Sequence, residues 1–423
     1  MHHLMQIAAE VRSNGWLYLS MPVIAAVIGY FTKIVAIRMM FEPLQFIGFK
    51  PWFGWQGIVP RKAASMAAIS CELLTRRLLA PADVLGRLDP QRIARELEKP
   101  LLATVEAITR AVAAEYSPGL WESLPARLKD SIVRRIQDES PALVAQIMRE
   151  LQDHLDEVFD LKDLVVRALT RDPRLLNRIF LEAGSEEFRF IRRCGLWFGA
   201  AIGCVQAGVW AATHSPWVMP AFGALVGWFT DWLALKMIFN PKQPTRYLGL
   251  VEWQGLFLKR RREVAAQYGR LIAQEVVTPS NVFEAVLTGP LSDRLYEMIH
   301  KHVQRMVDEQ AGIARPLVVF AIGSAKYQAL KKRVTDELMK RLPETLRHLE
   351  PYARDAMDLE RTLVSKLQQL TPEEFESLLR PAFQQDEWIL IAVGAVLGFV
   401  VGELQVLLME HLAHPVSAAL LSR

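Results

Sequence analysis

The chain has 423 residues, 51% of them hydrophobic and 23% charged, and its 50 Lys and Arg against 46 Asp and Glu leave a formal charge of +4. Intrinsic disorder, a collagen-like repeat and a disulfide scaffold are excluded: apolar content is normal to high, and Cys71, Cys194 and Cys204 form no CxxC pair that would mark zinc or redox chemistry. Near-balanced charge also argues against nucleic acid as a partner.

In chain order, the first predicted element is an apolar helix over 16–40, long enough to cross about 30 Å of hydrocarbon. It reads as a retained anchor, because its run is longer than a signal-peptide core and no small-x-small site precedes a polar start. A polar helical segment follows over about 60–187, with apolar residues at helical spacing in Leu143, Ile147, Leu151, Leu155 and Val158 and with punctuating prolines. Spans at 189–212 and 217–240 are joined by a short loop. A second polar helical segment over about 258–386 repeats the spacing in Leu291, Leu295, Ile299 and Val303, and a fourth span covers 388–412. No run alternates as a half-buried strand would. The expected fold class is all-α, an integral membrane protein with four transmembrane helices and two helical cytoplasmic segments. The mean hydropathy of +0.14 is then an average over spans and water-facing helices.

Orientation follows from Lys and Arg near the span ends. Lys50, Arg61, Lys62, Arg189, Arg192, Arg193, Lys242, Arg246 and the run Lys259 to Arg262 gather on one side, against Arg12, His214 and Arg423 on the other. Both polar segments are expected in the cytoplasm, with both termini and the 213–216 loop outside.

A repeat organises the chain. The segment from Gly29 to Pro43 matches that from Gly227 to Pro241 in the pattern Gly-aromatic-Phe-Thr-x-x-x-Ala-x-basic-Met-x-Phe-x-Pro, an offset of 198. At the same offset Trp55-Gln56-Gly57 falls on Trp253-Gln254-Gly255, and Arg61-Lys62 on Lys259-Arg260. Gly195, Gly199, Gly203 and Gln206 correspond to Gly394, Gly398, Gly402 and Gln405. We expect a tandem duplication with units at 14–212 and 217–412; two spans per unit make the copies parallel rather than inverted.

Candidate site residues fall into four groups. Glycines four apart let helix backbones approach closely within lipid, so Gly29, Gly227, Gly195, Gly199, Gly203, Gly394, Gly398 and Gly402 are read as packing positions. Lys33 and Asp231 stand at equivalent depth in spans one and three, and either pair across the repeat or snorkel to water. Thr32, Thr230, Gln206, Gln405 and Glu403 are the other intramembrane polar residues, a candidate path for protons or cations or a set of interhelical hydrogen bonds. Trp52, Trp55 and Trp253, with Lys259, Arg260, Arg261 and Arg262, are expected at the headgroups of anionic lipids. Phosphate-loop, zincin, nucleophile-elbow and dinucleotide motifs are absent, so no catalytic, metal or cofactor site is expected. His411 and His414, three apart on a helix, are read as interfacial histidines.

The paired motif with its Trp-Gln-Gly and basic cluster resembles the bacterial membrane-protein family catalogued as domain of unknown function 445, over nearly the whole chain. The resemblance implies an inner-membrane protein and carries no established activity. In that family Asn commonly follows the Thr; here Lys33 and Asp231 stand there, so a role for paired Asn residues does not carry over. The expected function is a non-enzymatic protein presenting paired helical domains to a protein partner, a second copy or lipid in envelope maintenance. The rival is a transporter or channel using Lys33, Asp231 and Glu403.

Overall fold

In a computed structural model, the described residues are 15–49, 53–63, 68, 72, 75, 78–116, 125–247, 251–311, 323–379 and 387–420. Trp52, Cys71, Arg12, Lys50 and Arg423 lie outside them, as do the side chains of His411 and His414.

Helix α1 (Gly15–Phe41) leads into a hairpin of β1 (Ile47–Phe49) and β2 (Phe53–Trp55) and a helical turn α2 (Ile58–Arg61). The first polar segment holds α3 (Pro81–Leu85), α4 (Pro90–Glu96), α5 (Glu98–Tyr116), α6 (Ala126–Asp153), α7 (Leu155–Val158) and α8 (Leu161–Arg171). Then come α9 (Pro173–Ala183), α10 (Ser185–Thr213), α11 (Val218–Phe239), a second hairpin of β3 (Thr245–Tyr247) and β4 (Val251–Trp253), and α12 (Leu256–Lys259). The second polar segment holds α13 (Arg261–Leu271), a π-helical turn at Ile272–Val276, α14 (Pro279–Thr288), α15 (Ser292–Ala311), α16 (Ser324–Arg347), α17 (Glu350–Met357) and α18 (Leu359–Gln368). The chain ends with α19 (Pro372–Leu379) and α20 (Glu387–Leu420).

The hairpins correct the expectation of a strand-free chain. Their antiparallel registers are Ile47 on Trp55 and Thr245 on Trp253. Three-residue strands are too short to display an alternating pattern, and Gly48 supplies a positive φ of 136° that side-chain-bearing residues avoid.

The chain forms two compact units. The first gathers residues 1–66, 172–268 and 367–423, and the second residues 67–171 and 269–366.

In the first unit, four helical stretches are long and apolar enough to cross a membrane: Tyr18–Phe41, Ser185–Thr213, Val218–Ile238 and Glu387–Leu407. Large apolar side chains point away from the protein on all four, among them Val23 and Val27, Trp197 and Val205, Trp228, and Val396 and Leu404. Each would gain about 1.5–3 kcal/mol by leaving water, so this surface requires a hydrocarbon medium. Inside, α1 packs on α10 and α11 on α20 through backbone. A Cβ on Gly29 would strike the carbonyl of Gly195, and one on Gly199 the carbonyl of Ala25. In the other pair Gly223 faces the Gly398 carbonyl and Gly227 that of Gly394, while Gly203 and Gly402 rest on the Cα atoms of Pro22 and Pro220. Such approach is how helices associate where lipid removes the hydrophobic drive between them.

The second unit unites the two polar segments that the sequence leads one to expect as paired helical domains. Their helices carry wide apolar stripes, and each segment covers the other's. Polar ties cross between them: Arg87 donates to the Met357 carbonyl at 3.0 Å and to Thr362 at 2.8 Å, Lys366 meets Asp83 at 2.7 Å, and Arg333 meets Glu115 at 3.0 Å. Glu150 on α6 binds Lys301 at 2.9 Å and His302 at 2.5 Å on α15.

Two expectations follow. Gly227→Leu should separate α11 from α20 and destabilise the protein by at least about 1–3 kcal/mol, read as a lower melting temperature in detergent, while Gly208→Leu, which has open space around it, should leave melting unchanged. The bonds from Lys301 and His302 hold the Glu150 carboxyl below its usual 4.5. A lowered folded-state value means the contribution is complete above 4.5 and is lost as pH falls through the folded value. Glu150→Gln should therefore melt earlier than wild type at neutral pH, with the gap closing below pH 4.5.

Candidate functional site

The first candidate lies among the spans. Lys33 on α1 donates to the Asp231 carboxylate on α11 and, at 2.8 Å, to the Thr230 hydroxyl, and the two charged residues are 1% and 3% exposed. Thr230 in turn donates to the Val226 carbonyl at 2.7 Å, and Thr32 to that of Gly29 at 3.2 Å. Two glycines make the room: a Cβ on Gly195 would press the Lys33 Cγ, and one on Gly394 would strike Asp231 Oδ2. That oxygen has no hydrogen-bond partner among the described residues, and beside the pair is a cavity of about 30 Å³ lined by Lys33, Asp231, Met40, Phe188 and Leu390. Its size suits one water molecule. Arg38 and Lys236 sit elsewhere, Arg38 exposed and paired with Glu42 at 2.8 Å, and Lys236 over the Trp232 ring at 4.8 Å.

The other intramembrane polar residues stand apart. Gln206 is buried and donates to Met219 Sδ at 2.9 Å, Gln405 is buried with its Nε2 unpartnered, and Glu403 is half-buried on α20. No hydrogen bond among the described residues links them to Lys33 or Asp231. Cys194 is buried and Cys204 exposed, both as free thiols.

At the ends of α1 and α11 the repeated motif builds matching clamps. The Gly57 amide donates to the Pro43 carbonyl at 2.9 Å and Gln56 to that of Leu44 at 2.9 Å. Gly255 donates to Pro241 at 3.0 Å and Gln254 to Lys242 at 3.1 Å. Trp55 donates to the Met39 carbonyl at 3.3 Å, and Trp253 packs on Phe190 at 5.9 Å. On β1, Ile47 is 66% and Phe49 85% exposed. Of the basic run, Arg260 is engaged by Glu187 at 3.0 Å and Glu263 at 2.7 Å; Lys259 and Arg262 are exposed and Arg261 half-buried. The sequence reading did not single out Gln56, Gln254 or the two prolines, although the repeat itself contains them.

The second candidate lies within the second unit: a cavity of about 410 Å³ lined by α5, α6, α15 and α16, with α14 at one side. Its lining recurs at the sequence offset of 198, as in Leu101 and Ile299, Ile136 and Val334, or Val144 and Leu342. The polar residues in the lining are Thr109, Ser140 and Thr345. Ser140 donates to the Ile136 carbonyl at 2.6 Å and Thr345 to that of Arg341 at 3.0 Å, so these hydroxyls serve their own helices. The interior offers contact to hydrocarbon and almost nothing to a polar ligand. Sequence periodicity marks the apolar faces; it does not reveal that they meet around a space.

The comparisons with known proteins bear on these features. Residues 221–348 match a family model described as "Protein of unknown function (DUF445)". The chain is similar to that family.

Relatives point the same way. A UPF0754 membrane protein of Bacillus pumilus (strain SAFR-032) is 27% identical over 158 residues, which are 35% of this chain and 41% of that protein. A UPF0754 membrane protein of Bacillus cereus (strain AH187) is 26% identical over 113 residues, 26% of this chain and 30% of the relative. The matched region thus spans less than half the length of these curated relatives. With the four apolar helices, these likenesses identify an integral membrane protein. The DUF445 match takes in Gly223, Gly227, Thr230, Asp231, the second hairpin and the cavity helices α14, α15 and α16.

Breaking a buried pair by removing one partner costs about 3–5 kcal/mol, because the other charge is left uncompensated. Lys33→Met and Asp231→Ala should each lower the melting temperature in detergent strongly, and the double variant should recover most of the loss. A double variant no more stable than the singles would refute mutual compensation.

Proposed function

We propose that this chain is a non-enzymatic protein of the bacterial cytoplasmic (inner) membrane, built as a tandem parallel repeat, whose helical unit takes up the hydrocarbon part of a lipid in envelope maintenance. The observation that carries this reading is the apolar cavity. A space of about 410 Å³ leaves its aliphatic lining without packing partners, and the dispersion contacts forfeited there are a cost in stability. An occupant offsets that cost, and an anchor in the bilayer keeps the chain beside a large supply of hydrocarbon.

The duplication is supported by the clamps, hairpins and cavity lining that recur at one offset. Basic residues beside the span ends favour a cytoplasmic position for the helical unit, with both termini outside. The exposed Ile47 and Phe49 of β1, together with Trp55, Trp253 and the basic residues Lys259, Arg261 and Arg262, suit the headgroup level of anionic lipids. A second reading, a transporter, is favoured by the unpartnered Asp231 oxygen beside a water-sized cavity.

Mass spectrometry of material copurifying from native membranes tests the proposal. Wild type should carry lipid near one copy per chain, and Val144→Trp, which fills the cavity, should lose it. Equal lipid in both would refute the reading. Uptake into vesicles that stops in Lys33→Met/Asp231→Ala while cavity lipid is retained would favour the transporter.

A further inference from the structure

The protein leaves the Lys33–Asp231 pair incompletely satisfied. An ammonium offers three donors and no acceptor, and Lys33 uses one on Asp231 Oδ1 and one on the Thr230 hydroxyl. Its remaining donor finds no partner among the described residues. Asp231 is 3% exposed, yet its Oδ2 accepts no hydrogen bond among them either. A free donor and a free acceptor thus belong to a single buried pair, where each unmade bond is a desolvation cost.

The cavity beside the pair meets both needs. At about 30 Å³ it exceeds the roughly 10–15 Å³ that one water molecule requires, and a buried water wants about two to four polar partners. Lys33 and Asp231 both line it. A water there accepts from the Lys33 ammonium and donates to Asp231 Oδ2, and its second hydrogen can turn to Met40, whose thioether is a weak acceptor. Ions fit badly by contrast. The ammonium repels a cation and the carboxylate repels an anion, whereas a neutral molecule that both donates and accepts suits the two together.

Position gives the site a direction. The lining residues Ala36, Ile37 and Met40 on α1 and Ala234, Leu235 and Ile238 on α11 all follow the charged residue of their own helix, toward the clamps. From Lys33 to Phe41 the axis runs about 12 Å at about 1.5 Å per residue. On the other side of the pair the packing is closed: Ala25, Ile28 and Val226 are 1%, 4% and 0% exposed and form one apolar cluster, with Ile24, Ile202 and Val401 packed against it.

We propose that the cavity binds one water molecule, bridging Lys33 and Asp231 Oδ2, and that water reaches it from the clamp end of α1 and α11 alone. The inference goes beyond the readings above and involves no lipid. It makes the charged pair a hydrated dead end, wet on the side of the clamps and sealed on the other by Ala25, Ile28 and Val226. Water then supplies the partner that the surrounding helices do not.

Nuclear Overhauser transfer from water to methyl groups tests this, in the full-length protein labelled at its alanine, isoleucine and valine methyls and held in nanodiscs. Ala36 and Ala234 should show water cross-peaks, while Ile28 and Val226 should show none. In Lys33→Met/Asp231→Ala the cross-peaks at Ala36 and Ala234 should disappear although the space has grown, because an apolar cavity stays dry. Absence of cross-peaks at Ala36 and Ala234 in wild type overturns the water site. Cross-peaks that persist in the double variant overturn its assignment to the charged pair. Cross-peaks at Ile28 and Val226 in wild type overturn one-sided access. The wild-type spectra decide the site and its direction by themselves, so a double variant that failed to fold would leave both open to refutation.

Discussion

Close contact between helix backbones is the constraint on which the membrane unit depends. Within hydrocarbon, apolar side chains have no reason to prefer one another over lipid, so cohesion must come from close packing and from satisfied polar groups. Glycine provides the first, because its missing Cβ lets the carbonyls of α1 and α10, and of α11 and α20, stand where a side chain would otherwise be. It also makes the second possible. Gly195 and Gly394 leave the space in which the Lys33 stem and the Asp231 carboxylate lie, so packing and charge are a single arrangement. Isolated, each charge would cost about 2.5–3.5 kcal/mol at a span centre on insertion scales. Paired and hydrogen-bonded to Thr230, they fix how α1 and α11 meet. Their net contribution to stability is small beside the penalty for separating them.

The helical unit follows another logic. Its segments are amphipathic, and water outside supplies a hydrophobic drive that the spans lack. Burial alone would favour collapse onto a dense core, since interiors pack like organic crystals. Four long helices instead leave an aliphatic space, and the Ser140 and Thr345 hydroxyls that border it bond to carbonyls of their own helices. Close packing is relinquished there.

Much of this was legible in the residues. The spans, the helical class and the equivalence of Lys33 and Asp231 followed from apolar run length, period and offset. The hairpins were not legible, because three-residue ribbons built on Gly48, Gly54 and aromatic residues carry no alternating signal. Arg260 shows another limit. Within the run Lys259 to Arg262 it looks like its neighbours, yet it reaches the buried Glu187, which is remote in sequence.

What the sequence by itself determined is local and periodic: which segments are apolar all round, which are striped, where glycines align, and which residues recur at an offset of 198. Those properties follow from composition and helical geometry, which act over a few residues at a time. Tertiary structure alone decided that Lys33 and Asp231 touch, that two polar segments close as one unit, and that the closure leaves a cavity. Each depends on residues far apart in the chain meeting in space, and periodicity specifies the face that a helix buries without specifying what it is buried against.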